Sequence, residues 1–203
     1  MLSHLLLTTG LLGTLLPLSS SAQTAPPSSR FYVGVGANLL SNLPFRDQGI
    51  VPRSLGPSLT AGLLFTPRWA LQVGFSYHGK QETIANPNPV GDVTVRTKYF
   101  LVPALLRYTV TAPATPVQFD ILGGATLVHA TGRTSFSSSV YDESSTSDTR
   151  FNLTLGPAVR AAISNHLELT ASSLVSMVVG ENYYRFSDRL FLNTSLGLNY
   201  KFG

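Results

Sequence analysis

The chain has 203 residues, of which only 12% are charged, and it contains no cysteine. The lack of cysteine excludes disulfides, thiolate metal sites, a cysteine nucleophile and a lipidated N-terminal cysteine. The net charge of +4 does not indicate a nucleic-acid partner, because the cations are scattered singly and form no basic run.

Residues 1–22 predict a secretory signal peptide. An apolar run at 5–18 precedes the small residues Ser20, Ser21 and Ala22, and we expect cleavage after Ala22. A membrane-anchoring helix is the alternative, but the run is short and is interrupted by two glycines and a proline. Residues 23–29 then form a polar linker. The sequence therefore predicts export.

From residue 30 onward, apolar side chains alternate with small or polar ones, which is the pattern of β-strands. In the first segment Phe31, Val33 and Val35 share one face, while Tyr32 and Gly34 share the other. The eight predicted strands cover residues 30–40, 58–65, 69–80, 95–108, 117–130, 151–163, 167–178 and 190–202. We place the apolar face outside. The fourth strand is the least regular, and its faces are assigned so that Arg107 lies inside.

The predicted connections alternate in length. Long polar connections occupy residues 41–53, 81–94, 132–150 and 179–189, and short ones occupy 66–68, 109–116 and 164–166. Transmembrane barrels have short periplasmic turns and long extracellular loops. The alternation therefore predicts periplasmic termini and four extracellular loops.

A soluble ligand-binding barrel such as a lipocalin is the structural alternative. It requires the inverse pattern, with an apolar interior and a charged exterior. In lipid every backbone polar group must be paired within the protein, so a sheet spans a membrane only when it is closed. We therefore predict an all-β fold, an eight-stranded antiparallel up-and-down transmembrane β-barrel, over residues 30–203.

Three segments carry a resemblance to a known group: PRWALQVGFSY, YFLVPALLRY and LGLNYKF. They resemble the small outer-membrane β-barrels of Gram-negative bacteria, the OmpA-transmembrane-domain, OmpX and OmpW-like group, and particularly the barrels of Bacteroidetes that include PorT-like members. The resemblance implies residence in the outer membrane. It is specific for architecture and says little about function.

The last strand resembles the C-terminal assembly signal of this group. Leu196, Leu198, Tyr200 and Phe202 lie on one face of the strand. The resemblance implies recognition by the barrel assembly machinery. Gly203 is a departure, because the aromatic residue usually ends the chain.

Charged residues on the inward faces predict ion pairs near the periplasmic mouth. Arg160 and Glu168 flank one short turn, Arg107 and Asp120 flank another, and Lys201 lies at the same end. Because a buried charge needs a partner, we expect Arg160 to pair with Glu168 and Arg107 with Asp120. These pairs would fill and fix the barrel. A gated ion path is the alternative, although eight strands leave an interior just wide enough for side chains.

Three cations lie where predicted strands meet the long loops: Lys98, Arg133 and Arg150. They would reach lipopolysaccharide phosphates through charge-assisted hydrogen bonds. The alternative is that they are solvated, snorkelling strand ends. Outer-membrane lipid and lipopolysaccharide are the expected partners.

The nearest approach to a catalytic set is His129, Thr131 and Glu143. Outer-membrane lipid A deacylases use a histidine, a serine two residues later and a downstream acid, but the surrounding VHATGR does not otherwise resemble them. A nucleophile needs a base in contact with it, which the sequence does not show. We assign no catalytic residue. His78 and His166 stand alone, so we predict no metal site and no cofactor.

The sequence thus predicts a monomeric, non-enzymatic barrel with a structural or surface-interaction role through its extracellular loops. A narrow channel for small or apolar solutes is one alternative. A lipid A-modifying enzyme is another. A role in protein secretion is implied by the resemblance to PorT-like members alone.

Overall fold

A computed structural model describes residues 30–43, 53–85, 92–113, 115–136, 143–180 and 189–202. The predicted signal peptide and linker, residues 1–29, lie outside these ranges, as does Gly203. Among the described residues no helix is long and apolar enough to span a membrane.

Eight antiparallel strands close into a barrel in chain order, and β1 pairs with β8. This confirms the predicted fold class. The strands are β1 (Phe31–Leu43), β2 (Ser54–Leu64), β3 (Trp69–Ile84), β4 (Val93–Thr109), β5 (Val117–Phe136), β6 (Ser144–Ala162), β7 (Leu167–Val178) and β8 (Leu190–Phe202).

The strand faces follow the sequence alternation. Successive side chains of a strand point to opposite sides of the sheet, so Val35 is 63% exposed on the outer surface while Tyr32 is 1% exposed in the lumen. Arg107 lies inside, as predicted, with 3% exposure. The outer surface of the barrel is accordingly a belt of exposed Leu, Val, Ile and Phe side chains, as a bilayer requires.

Six strands, β1 to β6, are longer than predicted at the end of the barrel that the loop lengths predict to be extracellular; β1 continues to Leu43 and β2 begins at Ser54. The β3–β4 ladder continues to the pair Ile84 and Val93, and the β5–β6 ladder continues to Thr134 and Ser144. The predicted loops at 81–94 and 132–150 were therefore too long. Above the membrane both strand faces are polar, so the alternation disappears while backbone pairing persists.

Side chains fill the lumen in layers. A charged layer lies at the end with the short turns, which is predicted to be periplasmic, and it is followed by an apolar cluster of Leu105, Leu122, Ala158 and Leu174. Hydroxyl groups of Thr126, Thr154 and Ser176 come next, joined by hydrogen bonds of 2.7 and 2.8 Å. A second apolar cluster lies at the extracellular end of the lumen. It comprises Leu40, Leu101, Val128, Val178 and Phe191, and Tyr99 packs against it.

Candidate functional site

The charged layer centres on Arg160, a β6 residue with 6% exposure. Its Nε lies 2.5 Å from Asp120 Oδ2, and its Nη1 lies 3.3 Å from Glu168 Oε1. Its Nη2 donates to Asp120 Oδ1 and to the Thr109 hydroxyl, both at 3.0 Å. Lys201 also forms an ion pair with Glu168, at the same oxygen, Oε1. Two cations and two anions are thus linked and neutral as a group.

The register explains this arrangement. Asp120 lies opposite Ala158 on β6, and Glu168 lies opposite Ala162. Both carboxylates are therefore diagonal neighbours of Arg160, within reach of a long side chain. The alanines opposite them leave room for the guanidinium.

The predicted pairing of Arg107 with Asp120 is wrong. Arg107 Nη1 donates to the Tyr32 hydroxyl at 3.1 Å, and its guanidinium lies 4.9 Å from the centre of the Tyr32 ring. The Tyr32 hydroxyl donates in turn to Gln72 at 2.9 Å. Asp120 instead accepts hydrogen bonds from Arg160 at both of its oxygens and from the Thr109 hydroxyl at Oδ1.

A glycine makes this contact possible. A Cβ added to Gly62 would lie 2.1 Å from Cζ of Tyr32, a distance that real side chains do not reach. Gly62 faces Tyr32 directly across the β1–β2 ladder. Its missing side chain lets the Tyr32 ring extend across the lumen to Arg107.

A cavity of about 220 Å³ lies at the extracellular end of the lumen. Its lining residues are Tyr99, Val128, Ala130, Gly132, Thr146, Asp148, Arg150, Asn152, Val178 and Phe191. Val128, Val178 and Phe191 form an apolar floor and are each at most 4% exposed. Thr146 is exposed at the rim, where it pairs with Gly132. The cavity therefore grades from an apolar base to a polar mouth.

Arg150 belongs to this cavity and not to the lipid-facing surface. Its Nε lies 2.5 Å from Asp148 Oδ2, and its side chain is 22% exposed. Its neighbour Phe151 is 52% exposed on the outer face, so strand alternation directs Arg150 inward. The proposed contact of Arg150 with lipopolysaccharide is therefore wrong. The outward assignment of Phe151 was the signal that could have placed it correctly.

Asn152 lines this cavity and was not among the predicted site residues. Its side chain is completely buried. Its Nδ2 donates to the backbone oxygens of Thr126 at 3.1 Å and Arg150 at 3.4 Å. Its Oδ1 accepts no hydrogen bond from the described residues. The sequence alternation showed only that Asn152 lies on the inward face of its strand.

Lys98 and Arg133 are exposed on the outer face of β4 and β5. Arg133 lies directly opposite Arg96, and Lys98 lies opposite Thr131. Arg133 also bonds Glu143, which by hydrogen bonding and by charge raises the pKa of the Arg133 guanidinium above its ordinary value. Lys98 and Arg133, the two residues predicted to contact phosphates, thus lie on the same outer surface, and Arg96 lies beside them.

The structure does not bring the weak catalytic set together. His129 Nδ1 lies 2.8 Å from the Thr149 hydroxyl, not from Thr131. Glu143 pairs with Arg133. Within the described ranges, no three His, Asp or Glu side chains are arranged to hold a metal ion.

The residues of the predicted assembly signal form a stripe on the outer face of β8. Leu196, Leu198, Tyr200 and Phe202 are between 43% and 57% exposed. The Tyr200 and Phe202 rings are 5.2 Å apart. Recognition of this stripe by the assembly machinery remains a prediction.

Solved structures of several outer-membrane proteins share this fold. A major outer membrane protein from Thermus thermophilus is 13% identical, with a TM-score of 0.61, and the match covers 86% of this chain and 100% of that one. OprG from Pseudomonas aeruginosa is 14% identical, with a TM-score of 0.53 over 86% and 96%. Ail from Yersinia pestis is 17% identical, with a TM-score of 0.52 over 86% and 97%.

A search among curated proteins finds no match to the sequence. The profile of the family described as "Outer membrane protein beta-barrel domain" matches residues 10–202. The chain therefore belongs to this outer-membrane β-barrel family, and its place is the outer membrane of Gram-negative bacteria.

Proposed function

We propose that the protein is a non-conducting, non-enzymatic barrel that acts as a scaffold for contacts at the cell surface. The observation that carries this proposal is the filled lumen. Eight strands leave an interior about as wide as its own side chains, and here the side chains occupy it in successive layers.

The layers leave little room for a solute path. A second cavity, of about 40 Å³, lies deeper in the lumen beside Arg107 and Arg160. It shares no lining residue with the 220 Å³ extracellular cavity. A solute crossing the barrel would have to displace the apolar clusters and separate the buried ions. Both steps are costly, which favours a scaffold over a channel.

The outer surface supports a contact with lipopolysaccharide phosphates. Lys98, Arg96 and Arg133 lie together, and like charges directly opposite each other on neighbouring strands are unfavourable. A phosphate beside Arg96 and Arg133 would offset that repulsion through charge-assisted hydrogen bonds. The Phe100 and Tyr77 rings, 5.2 Å apart, lie just below on the same surface, where an aromatic girdle marks the membrane interface. A further role in secretion, as in PorT-like barrels, rests on resemblance alone.

Planar-bilayer conductance of the refolded protein tests the closed lumen. Heat-modifiable gel migration of the same sample serves as the control that a closed barrel has formed. We expect no steady single-channel steps. Regular steps of constant size from folded protein would contradict the proposal and favour the solute channel.

The phosphate contact is tested by counting lipopolysaccharide molecules that remain bound to the purified barrel, by native mass spectrometry. We expect Lys98→Gln combined with Arg133→Gln to reduce the bound number severalfold. Arg68→Gln is the matched control, because Arg68 is an exposed arginine at the opposite end of the barrel. Equal loss in the control variant, or no loss in the double variant, would contradict the assignment.

A further inference from the structure

The extracellular cavity combines an apolar floor with a buried amide oxygen, Asn152 Oδ1, that has no hydrogen-bond partner in the described part of the chain. We propose that it binds a small neutral amphiphile, which packs an apolar ring or short chain against Val128, Val178 and Phe191 and donates a hydrogen bond to Asn152 Oδ1. The site lies inside the barrel, away from the outward cations Lys98 and Arg133. It is therefore independent of the scaffold role proposed above.

The size of the cavity sets the size of the ligand. An apolar protein cavity of about 150 Å³ holds a benzene molecule. The 220 Å³ here therefore accommodates one ring with a small substituent, or an aliphatic chain of similar bulk. The floor supplies the apolar contact, because Val128, Val178 and Phe191 are nearly completely buried.

The orientation of Asn152 fixes the polar requirement. Its side-chain nitrogen faces two backbone carbonyl oxygens, of Thr126 and Arg150. Carbonyl oxygens only accept hydrogen bonds, so the amide cannot be reversed without losing both bonds. Among the residues that the structure describes, none donates a hydrogen bond to its oxygen. A buried polar atom without a partner is unfavourable, and a ligand hydroxyl or N–H at this point would satisfy it.

The charges in the cavity favour a neutral ligand. Arg150 is the cation among the lining residues, and it is held by Asp148 at 2.5 Å. The two charges offset each other near the mouth, so neither an anion nor a cation finds an uncompensated partner. The ion pair instead leaves a polar mouth above an apolar base, which matches a neutral molecule with one polar end and an apolar body.

Two isomers with the same heavy atoms provide the test: p-cresol has a hydroxyl donor, and anisole does not. We would titrate each into the full mature protein in phospholipid nanodiscs and follow the methyl resonances of Val128 and Val178. Val35, which is 63% exposed to lipid, reports partition into the bilayer and serves as an internal control. We expect p-cresol to bind about fivefold more tightly than anisole, the effect of one net hydrogen bond.

Two variants locate the site. Asn152→Leu keeps the number and branching of the side-chain heavy atoms but removes the acceptor, and we expect the preference for p-cresol to disappear. Ala130→Trp fills the cavity and should abolish the methyl shifts. Its matched control is Ala125→Trp, on the lipid-facing side of the same strand, which should leave them unchanged. If Asn152→Leu does not fold, the comparison of Ala130→Trp with Ala125→Trp still tests whether the ligand occupies this cavity.

Three results would overturn the proposal. The first is that neither isomer shifts the Val128 and Val178 methyls, which would leave water as the occupant. The second is equal affinity for the two isomers in the wild type, which would remove the role of Asn152. The third is unchanged binding in Ala130→Trp.

Discussion

The two ends of the lumen are filled in opposite ways. At the periplasmic end Asp120, Arg160, Glu168 and Lys201 satisfy one another, and the nearby cavity measures only about 40 Å³. At the extracellular end an apolar floor and a polar rim enclose about 220 Å³, and Asn152 Oδ1 accepts no hydrogen bond from the described residues. At the periplasmic end the paired charges fill the lumen and leave little space. At the extracellular end the space is larger and contains an acceptor that a hydrogen-bond donor of a ligand would satisfy.

The largest expected effect comes from breaking the periplasmic network. Arg160→Met leaves Asp120 and Glu168 buried without their shared partner, and removal of one partner from a buried pair costs about 3–5 kcal/mol. The measurement is urea unfolding in phospholipid vesicles, followed by the fluorescence of Trp69, the single tryptophan.

The double variant Arg160→Met, Asp120→Asn is the control for that experiment, because Glu168 keeps its ion pair with Lys201. It removes the carboxylate that is left without a cation and should recover much of the loss in unfolding free energy. A single variant as stable as the wild type would show that the network does not hold this end of the barrel together.

The apolar packing at the other end is tested by Leu101→Ala. Leu101 is completely buried in the upper cluster, and truncation of such a leucine costs about 2–5 kcal/mol. Leu106→Ala is the matched control on the same strand, since Leu106 is 44% exposed on the outer face, where lipid chains replace the lost contacts. Equal losses for the two leucines would argue that the upper lumen is loosely packed.

Gly62→Ala should disturb the periplasmic end by a smaller amount. The added methyl meets the Tyr32 ring and forces it away from Arg107, and overpacking of this kind costs about 1–3 kcal/mol. Gly132→Ala is the control at the extracellular end, where an added Cβ meets nothing within 4 Å. Vesicle unfolding should separate the two variants, and their coincidence would contradict the steric argument.

The smallest effect is expected for Arg107→Lys. Lysine keeps the charge but loses the planar stacking on Tyr32 and the geometry of its hydrogen bond, a difference of about 1 kcal/mol. A double-mutant cycle with Tyr32→Phe isolates the contact. A coupling energy of zero would mean that Arg107 is held by the charged layer and not by Tyr32.

The fold was predictable because one rule governs each membrane-spanning strand. Alternation placed Val35 outside and Tyr32 inside, and lipid allows no other arrangement of those faces. The rule fails above the membrane, where water contacts both faces. The polar stretch after Gly132 therefore gave no strand signal, although its backbone continues the β5–β6 ladder to Thr134.

The sites were harder to predict because they depend on contacts between distant parts of the chain. Asp120 has diagonal neighbours on both β4 and β6, and the sequence alone does not choose between Arg107 and Arg160. Tyr32, which accepts the hydrogen bond from Arg107, lies 75 positions before Arg107 in the sequence. The cavity at Asn152 similarly requires residues from β4 to β8, whose inner faces meet only once the barrel has closed.

The closing seam has a consequence for the time course of folding. β1 joins β8 through pairs that run from Phe31 with Phe202 to Leu43 with Leu190, so the longest sequence separation in the molecule must be bridged to complete the sheet. Loop-closure entropy makes such contacts slow to form. Until the last strand arrives, the sheet has two unpaired edges, which are prone to aggregation. A chain truncated before β8 would thus leave β1 without its partner strand and could not close, however well its other strands pair.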